Sequence, residues 1–374
     1  MPEIKKVCVI TGTRAEYGLL RPLMAEIRDR PDMDLVLVAT GMHLSPEFGA
    51  TVSVIEQDGF TVDAKVDMLI SSDQPQGIAK SVGVGTIGFA DVYGLLQPDM
   101  VVVLGDRYEI LAAVQSAYLM HIPVAHIHGG ETTLGALDDG IRHAISHMSS
   151  IHLPTAEPYR QRLVAMGLPA ENIFTISAPG LENLVGDPVI NIDGIGARAD
   201  LDLSSGFFLV TYHPETDTAL DQIEALDAML GALDQFPDLK ILLTKSNSDE
   251  GGFAINRRLE EYVADKADRC TLFTNMGQDL YLSALRHAAC VIGNSSSGII
   301  EAPAVDTPTV NIGDRQKGRL YAESVVSCPA HMVDIGNAIR HTMNADFRNA
   351  AKHSSPPYGR PQKISKKIAD ILSK

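Results

Sequence analysis

Tryptophan is missing from this 374-residue chain, and aromatic side chains make up only 5% of it. A sugar-binding module that grips its ligand by ring stacking is therefore a poor match. No apolar run approaches the roughly 18 residues that a membrane-spanning helix needs. The charged start, Met1 to Lys6, leads straight into an apolar segment, without the long apolar core and small-residue cleavage site of a secretory signal. Basic charge is in deficit: 31 Lys and Arg stand against 47 Asp and Glu, a formal charge of −16. A nucleic-acid binder carries a basic face, so that partner class is disfavoured. Cysteines are scarce and scattered, at Cys8, Cys270, Cys290 and Cys328. Such spacing points to reduced thiols in a cytoplasm and away from disulfides or a zinc site.

What is present reads as two α/β domains. Apolar residues make up 45% of the chain and charged residues 21%, ordinary globular usage that leaves material for two cores at roughly 150 residues each. Short apolar strands alternate with amphipathic helices. Strands are expected at 5–13, 33–40, 100–107, 123–130, 151–154 and 172–177, with helices at 16–29, 109–120, 138–148 and 157–166. A stretch rich in Gly, Asp and Pro, near 180–203, marks the domain boundary. The rhythm then restarts, with strands at 207–212, 240–245, 271–274, 290–293 and 309–312. Helices are expected at 217–235, 254–266, 279–287 and 332–343. A last helix over 362–373 carries Ile364, Ile368, Ile371 and Leu372 on one side and is expected to pack back on the first domain. Such a βαβ rhythm makes doubly wound, mostly parallel sheets, whose ligands sit at the carboxyl ends of the strands.

Those strand ends hold the chemistry. Thr11-Gly12-Thr13-Arg14 closes the first strand; Gly12 admits a close ligand and Arg14 suits a phosphate, the alternative being a turn with a solvated Arg. Gly105-Asp106-Arg107 follows four apolar residues, where charge is costly unless paired or used; Asp106 could otherwise cap the next helix. In His126-Ile127-His128-Gly129-Gly130-Glu131, alternation sets His126 and His128 on one side, and Glu131 follows two glycines as a general-base candidate. His143 and His147 have the i, i+4 spacing of a zinc pair, but the flanking pattern is not H-E-x-x-H and no cysteine is near, so no metal site is expected. Asp138 and Asp139 start a helix, one as its cap, with Arg142 and His143 one turn on to hold the carboxylates. In the second half, Tyr212-His213-Pro214 and Lys245 to Asn247 end two strands. Gly293-Asn294-Ser295-Ser296-Ser297-Gly298 joins a strand to a helix carrying Glu301. That arrangement reads as a phosphate cradle of hydroxyls and backbone N–H groups, or as a capping box with Glu301. Asp314-Arg315-Gln316-Lys317-Gly318-Arg319 adds cationic charge at the next strand end.

Taken in order, TGTRAEYG, GDRYE, HIHGGE…DDGIRHAISHMS, TYHP, GNSSSGIIEAP and NIGDRQKGR, which span residues 11 to 319, resemble the hydrolysing UDP-N-acetylglucosamine 2-epimerases. That family includes sialic-acid synthesis enzymes, their legionaminic-acid relatives and the epimerase half of a bifunctional animal enzyme. The resemblance implies a GT-B-like fold: two Rossmann-like, doubly wound α/β domains facing across a cleft. They would cover residues 1–180 (acid/base) and 181–355 (nucleotide), with residues 356–374 returning to the first. It implies elimination of the nucleoside diphosphate across C1–C2, then hydration of the 2-acetamidoglycal, releasing the 2-epimer. Asp106, Glu131 and Asp138 would be the acid/base residues, with His213 near the reacting sugar. Arg14, Ser295, Ser296 and Arg315 would hold phosphate, Glu301 the ribose and Asn247 the uridine side, with Arg107 and His128 also in the substrate site. Some relatives carry Glu at the place of His128, so proton transfer falls to Glu131, His128 or the pair; Asp138 and Asp139 are likewise alternatives. The partner would be a nucleotide sugar, UDP-linked or GDP-linked, with N-acetylglucosamine or its 2,4-diacetamido-2,4,6-trideoxy analogue as the sugar. No cofactor is required, and a homodimer or homotetramer is expected. The rivals are a nucleotide-sugar binding protein without turnover and a glycosyltransferase of the same fold.

Overall fold

The computed structural model describes residues 4–46, 49–70, 74–132, 137–214, 222–246 and 252–374. Its elements run β1 (Lys5–Thr11), α1 (Arg14–Asp29), β2 (Met33–Thr40), α2 (Val52–Gln57), β3 (Ala64–Val66), α3 (Pro75–Leu96), β4 (Met100–Leu104), α4 (Tyr108–Leu119), β5 (Val124–Ile127), α5 (Leu137–His147), β6 (Ile151–Leu153) and α6 (Glu157–Ala165). There follow α7 (Ile192–Ala199), β7 (Phe207–Thr211), α8 (Gln222–Leu233), β8 (Lys240–Thr244), α9 (Gly252–Ala264), β9 (Cys270–Phe273), α10 (Gly277–His287), β10 (Cys290–Gly293), α11 (Ser297–Ala304), β11 (Thr309–Ile312), β12 (Val325–Cys328), α12 (Met332–Met343), α13 (Ala345–Lys352) and α14 (Ile364–Leu372). Two units result, Met1–Glu182 with Lys363–Lys374, and Asn183–Gln362. Among the described residues, no helix is long and apolar enough to cross a membrane.

Each unit is one six-stranded sheet. The orders are β3-β2-β1-β4-β5-β6 and β9-β8-β7-β10-β11-β12, and every paired neighbour is parallel. Both follow the doubly wound order 3-2-1-4-5-6, in which the chain reverses direction beside its first strand. The central strands are buried on both faces, which is why VCVI, MVVVL and FFLVT read as unbroken apolar runs. On one face of the first sheet, Cys8, Ile10, Val101 and Val103 pack with Phe89, Tyr93 and Ile110. In the second, alternate residues of β7 divide between two cores. Phe208 and Val210 pack with Leu226, Met229 and Ile339, whereas Phe207 and Leu209 pack with Ile195, Leu280 and Leu285.

The sequence pattern does not predict the short α2, β3, α7 and α13, α7 lying within the 180–203 boundary stretch, and three further segments depart from it. α3, at 22 residues, contains Gly77, Gly83, Gly85, Gly88 and Gly94, a composition that weakens any helix signal. Its buried positions are 77, 81, 85, 89 and 93, a strict four-residue stripe. A Cβ on Gly85 would lie 3.0 Å from that of Ala112, so close α3–α4 packing requires the small residue. Residues 172–177, expected as a strand, make only an isolated bridge between Ile173 and His152. Phe174 and Ile176 donate to the carbonyls of His152 and Pro154 at 2.9 Å, but Pro154 has no N–H to return. β12 is short and half-buried and carries little apolar signal.

α14 belongs to the first unit. Ile364, Ile368, Ala369 and Leu372 are buried. The Glu182 carboxylate accepts from Ser365 N–H at 2.7 Å and Ser365 Oγ at 2.5 Å, capping the helix from a residue 183 positions away. Lys5 Nζ donates to the Leu372 carbonyl at 2.8 Å at the other end. Ile368→Ala should therefore cost about 2–5 kcal/mol, the range for a truncated buried aliphatic. Urea denaturation read by circular dichroism should show the lowered midpoint, and an unchanged one would mean that α14 is not part of the cooperative unit.

Candidate active site

The strand order places β1 beside β4 and β7 beside β10 at the points where connections leave in opposite directions, and there the carboxyl ends open. After β1, Thr13 caps α1: its Oγ1 accepts from Glu16 N–H at 3.3 Å, while Glu16 Oε2 accepts from Gly12 N–H at 2.8 Å. This reciprocal cap, legible as Thr13-x-x-Glu16, draws Glu16 inside. Burial pushes its carboxyl up to about 7, with Glu109 adding and the Gly12 amide and Arg107 opposing. Arg14, the first helical residue, is exposed.

After β4, Arg107 turns back on the fully buried Glu109. Its Nε lies 3.2 and 3.3 Å from the two carboxylate oxygens and its Nη2 3.1 Å from Oε1. Asp106 takes the opposite course and pairs with Nη2 of Arg142, itself buried on α5. Arg142 Nη1 also reaches Asp139 Oδ1 at 3.4 Å, and His143 Nε2 lies 3.6 Å from Asp139 Oδ2. Arg142 and His143 thus hold Asp139, and Arg142 holds Asp106 as well. α5 begins at Leu137, so Asp138 and Asp139 occupy its first turn and neither caps it; carboxylates suit that turn. Desolvation, reinforced by Asp106, raises the Asp138 carboxyl.

After β5 the alternation expected of His126 and His128 fails. His126 stays in the strand, buried, with Nε2 2.8 Å from the Gly105 carbonyl and Nδ1 3.1 Å from Ser146 Oγ. His128 takes φ +68°, which swings the chain away from the strand. Gly130 follows at φ +81°, where a Cβ would sit 2.5 Å from the Tyr159 carbonyl oxygen. This turn brings Glu131 inside, 4% exposed. Its Oε1 accepts from Thr155 Oγ1 at 2.7 Å and faces His128 Nδ1 at 2.6 Å. Thr155 has no local sequence signal, because it arrives from the end of β6. No group of three His, Cys, Asp or Glu among the described residues could hold a metal ion.

In the second unit, β10 ends at Gly293 with φ +135°, where a Cβ would stand 1.9 Å from the Thr211 carbonyl oxygen; only glycine fits. Asn294 follows, fully buried, and its amide bonds both backbone groups of His213. Arg315 Nη1 and Gln316 Nε2 donate to the Asn294 carbonyl at 3.2 and 2.9 Å. Ser296 stands at the N-cap of α11 with its side chain uncommitted to the cap. The expected capping box is absent, because Glu301 falls five residues past the cap instead of three. Ser295 Oγ instead accepts from Ser297 N–H at 3.4 Å. Lys245 pairs with Glu260 at 2.5 Å, and Asn247 lies outside the described residues.

A family model described as UDP-N-acetylglucosamine 2-epimerase matches residues 25–373. The chain belongs to that family. A GDP/UDP-N,N'-diacetylbacillosamine 2-epimerase (hydrolyzing) from Campylobacter jejuni is 38% identical over 344 residues, 92% of this chain and 89% of the relative. A UDP-N,N'-diacetylbacillosamine 2-epimerase (hydrolyzing) from Legionella pneumophila is 34% identical over 91% of this chain and 89% of its own. In fold, the chain matches a crystal structure of UDP-GlcNAc 2-epimerase from Neisseria meningitidis bound to UDP-GlcNAc. The TM-score is 0.84 at 16% identity, covering 98% of this chain and 99% of that one. The chain is thus a nucleotide-sugar 2-epimerase of GT-B-like architecture, and in both units the family's motifs close the strands at the switch points.

The imidazoles under this edge set its response to acid. Burial lowers His126 to about 3, and His43 and His152 to about 4. All three are neutral in the folded chain, so below about pH 6.5 the unfolded chain binds more protons than the folded one. Each then removes about 1.4 kcal/mol per pH unit until its folded pKa is reached. Glu16, raised toward 7, and Asp138, also raised, act in the opposite sense but are two groups against four, since burial lowers His143 as well. The urea midpoint should therefore fall between pH 7.5 and pH 5; a flat or rising midpoint would mean that the imidazoles are protonated in the fold.

Proposed function

We propose that the chain is a hydrolysing 2-epimerase of a nucleotide-linked 2-acetamido sugar. The observation that carries this reading is the group of titratable side chains at the carboxyl edge of the first sheet: Glu131 bonded to His128, Asp106 held by Arg142, and Asp138 with its carboxyl raised. The C2 proton is weakly acidic, so its removal has to accompany departure of the leaving group, and a base near neutrality suits that step. In the proposed reaction the C2–H and C1–O bonds break on opposite faces and the electrons form C1=C2. The nucleoside diphosphate leaves, and water then adds across the double bond, hydroxyl to C1 and proton to C2. Elimination and hydration are redox-neutral.

Glu131 or His128, with Asp106 and Asp138, exchange these protons, and Arg107 lies in the same site. His213 stands by the reacting sugar. Ser295, Ser296, Arg14 and Arg315 hold the diphosphate, whose developing charge the α11 N-terminus also stabilises. Glu301 takes the ribose hydroxyls and Asn247 the uridine side.

Two sugars suit the reaction. UDP-N-acetylglucosamine is the expectation from the motifs. The 2,4-diacetamido-2,4,6-trideoxy sugar is supported by the identity of 38% and 34% to the two diacetylbacillosamine epimerases. We favour the second, with UDP or GDP as carrier. A homo-oligomer is supported by an exposed apolar strip in the first unit: Val84, Ile87 and Leu95 of α3, with Tyr118, Leu119 and Met120 at the end of α4.

The test is release of nucleotide from UDP-N-acetylglucosamine, UDP-diacetylbacillosamine and GDP-diacetylbacillosamine in deuterated water. One of them should yield free 2-epimer carrying deuterium at C2. Product that keeps its original C2 hydrogen would exclude elimination. Glu131→Gln should keep the fold and UDP affinity and lose about 10²–10⁴ in turnover, the usual worth of acid–base help. Near-parental turnover in that variant would move the role to His128 or Asp138. Light scattering should find a dimer or tetramer, and a species near the 40.2 kDa of one chain would refute the oligomer.

A further inference from the structure

Three strand ends of the second unit are tied together through asparagine. The backbone ladder between β10 and β7 ends at the pair Gly293 and Thr211, and Asn294 N–H still donates to the Thr211 carbonyl at 3.2 Å. Beyond that point, the Asn294 side chain takes over from backbone. Its Oδ1 accepts from His213 N–H at 2.7 Å and its Nδ2 donates to the His213 carbonyl at 2.8 Å. A carboxamide offers one acceptor and two donor hydrogens, so it can satisfy both main-chain groups of one residue at once. The turn at Gly293 makes this reach possible, because its positive φ carries the chain over the end of β7.

The same device recurs after β8. Asn256, on α9, accepts from Ser246 N–H at 2.7 Å through Oδ1 and donates from Nδ2 to the Ser246 carbonyl at 3.3 Å. Ser246, buried, places its Oγ 3.3 Å from His213 Nδ1. One asparagine therefore fixes the His213 backbone, and the other fixes the residue that meets its ring.

We infer that Asn294 and Asn256 are positioning residues for His213, Asn294 setting its backbone and Asn256, through Ser246, the rotation of its imidazole. The inference rests on the epimerase reading, in which His213 stands at the reacting sugar. Arg315 and Gln316 hold the Asn294 carbonyl, not its side chain, so the clamp can be cut while the diphosphate cradle keeps its backbone support.

A double-mutant cycle separates this role from general stabilisation. Asn294→Ala and Asn256→Ala are made in the parent and in His213→Ala. Turnover is measured on the fastest nucleotide sugar of the panel above, UDP affinity by calorimetry, and folding by thermal melting. In the parent background each asparagine change should lower kcat by about 10–100-fold, a misplacement effect. UDP affinity should stay within about threefold. In the His213→Ala background the same changes should lower kcat by less than about threefold, since residues acting as one unit are strongly non-additive. Losses that multiply across the two backgrounds, an unchanged kcat, or a UDP affinity that falls in step with kcat would each overturn the inference. Should an alanine variant fail to melt cooperatively, Asn294→Asp keeps the acceptor for His213 N–H and sets a second acceptor against the His213 carbonyl in place of the donor; it should lower kcat with the same coupling. Parental turnover in His213→Ala would overturn both the clamp and the place of His213 in the reaction. A parent that turns over none of the three nucleotide sugars would overturn the epimerase reading itself, and the clamp with it.

Discussion

A charged or polar group at the end of a buried strand has to find a partner, and this requirement organises both units. A parallel sheet ends all its strands at one edge, so unsatisfied groups collect there in numbers that loops alone cannot cover. In the first unit the answer is pairing by opposite charge and capping: Arg142 takes Asp106 and Asp139, Arg107 takes Glu109, and Gly12 N–H takes Glu16. Leaving the buried Glu16 or Glu109 carboxylate without its partner would be strongly unfavourable. The pairs that hold the edge together are also the groups whose protonation chemistry can use.

The two sheets share one strand order but differ in what they place at the switch point. The first presents Asp106, Glu131, Asp138 and several histidines, of which burial raises the Asp138 carboxyl and lowers the imidazoles of His126 and His152. The second presents serines, asparagines, backbone amides, Arg315 and one imidazole, that of His213. The same supersecondary pattern serves each by a change of the few residues after β4, β5, β7 and β10. In a chain of net charge −16, the overall field disfavours an anion, so only local donors could hold one.

Much of this was legible in the sequence, for a physical reason. β2, β10, β11 and α12 fall where the apolar pattern predicts them, because a strand buried on both faces has to be continuously apolar. The residues at the strand ends could be named because an apolar run followed by Gly with Asp, His or Ser has few structural uses. Their partners could not. Arg142 lies 36 residues from Asp106, Thr155 24 from Glu131 and Asn294 81 from His213. Those meetings depend on strand order, which local periodicity does not encode. α3 escaped for a different reason: its glycines serve packing against α4 at the expense of helix propensity, so local preference and tertiary demand conflict there.

The turn after β5 shows how such conflicts bear on chemistry. A histidine at positive φ is uncommon, and His128 adopts it because the chain must leave the strand and fold back within three residues to bury Glu131. The two glycines permit the reversal, and Gly130 lies too close to the Tyr159 carbonyl oxygen for any larger residue. What the turn achieves is a contact of 2.6 Å between His128 Nδ1 and Glu131 Oε1, with Thr155 on the same oxygen. The sequence leaves Glu131 and His128 as alternatives. The fold joins them in one hydrogen-bonded unit, so a change at either residue takes a hydrogen-bond partner from the other.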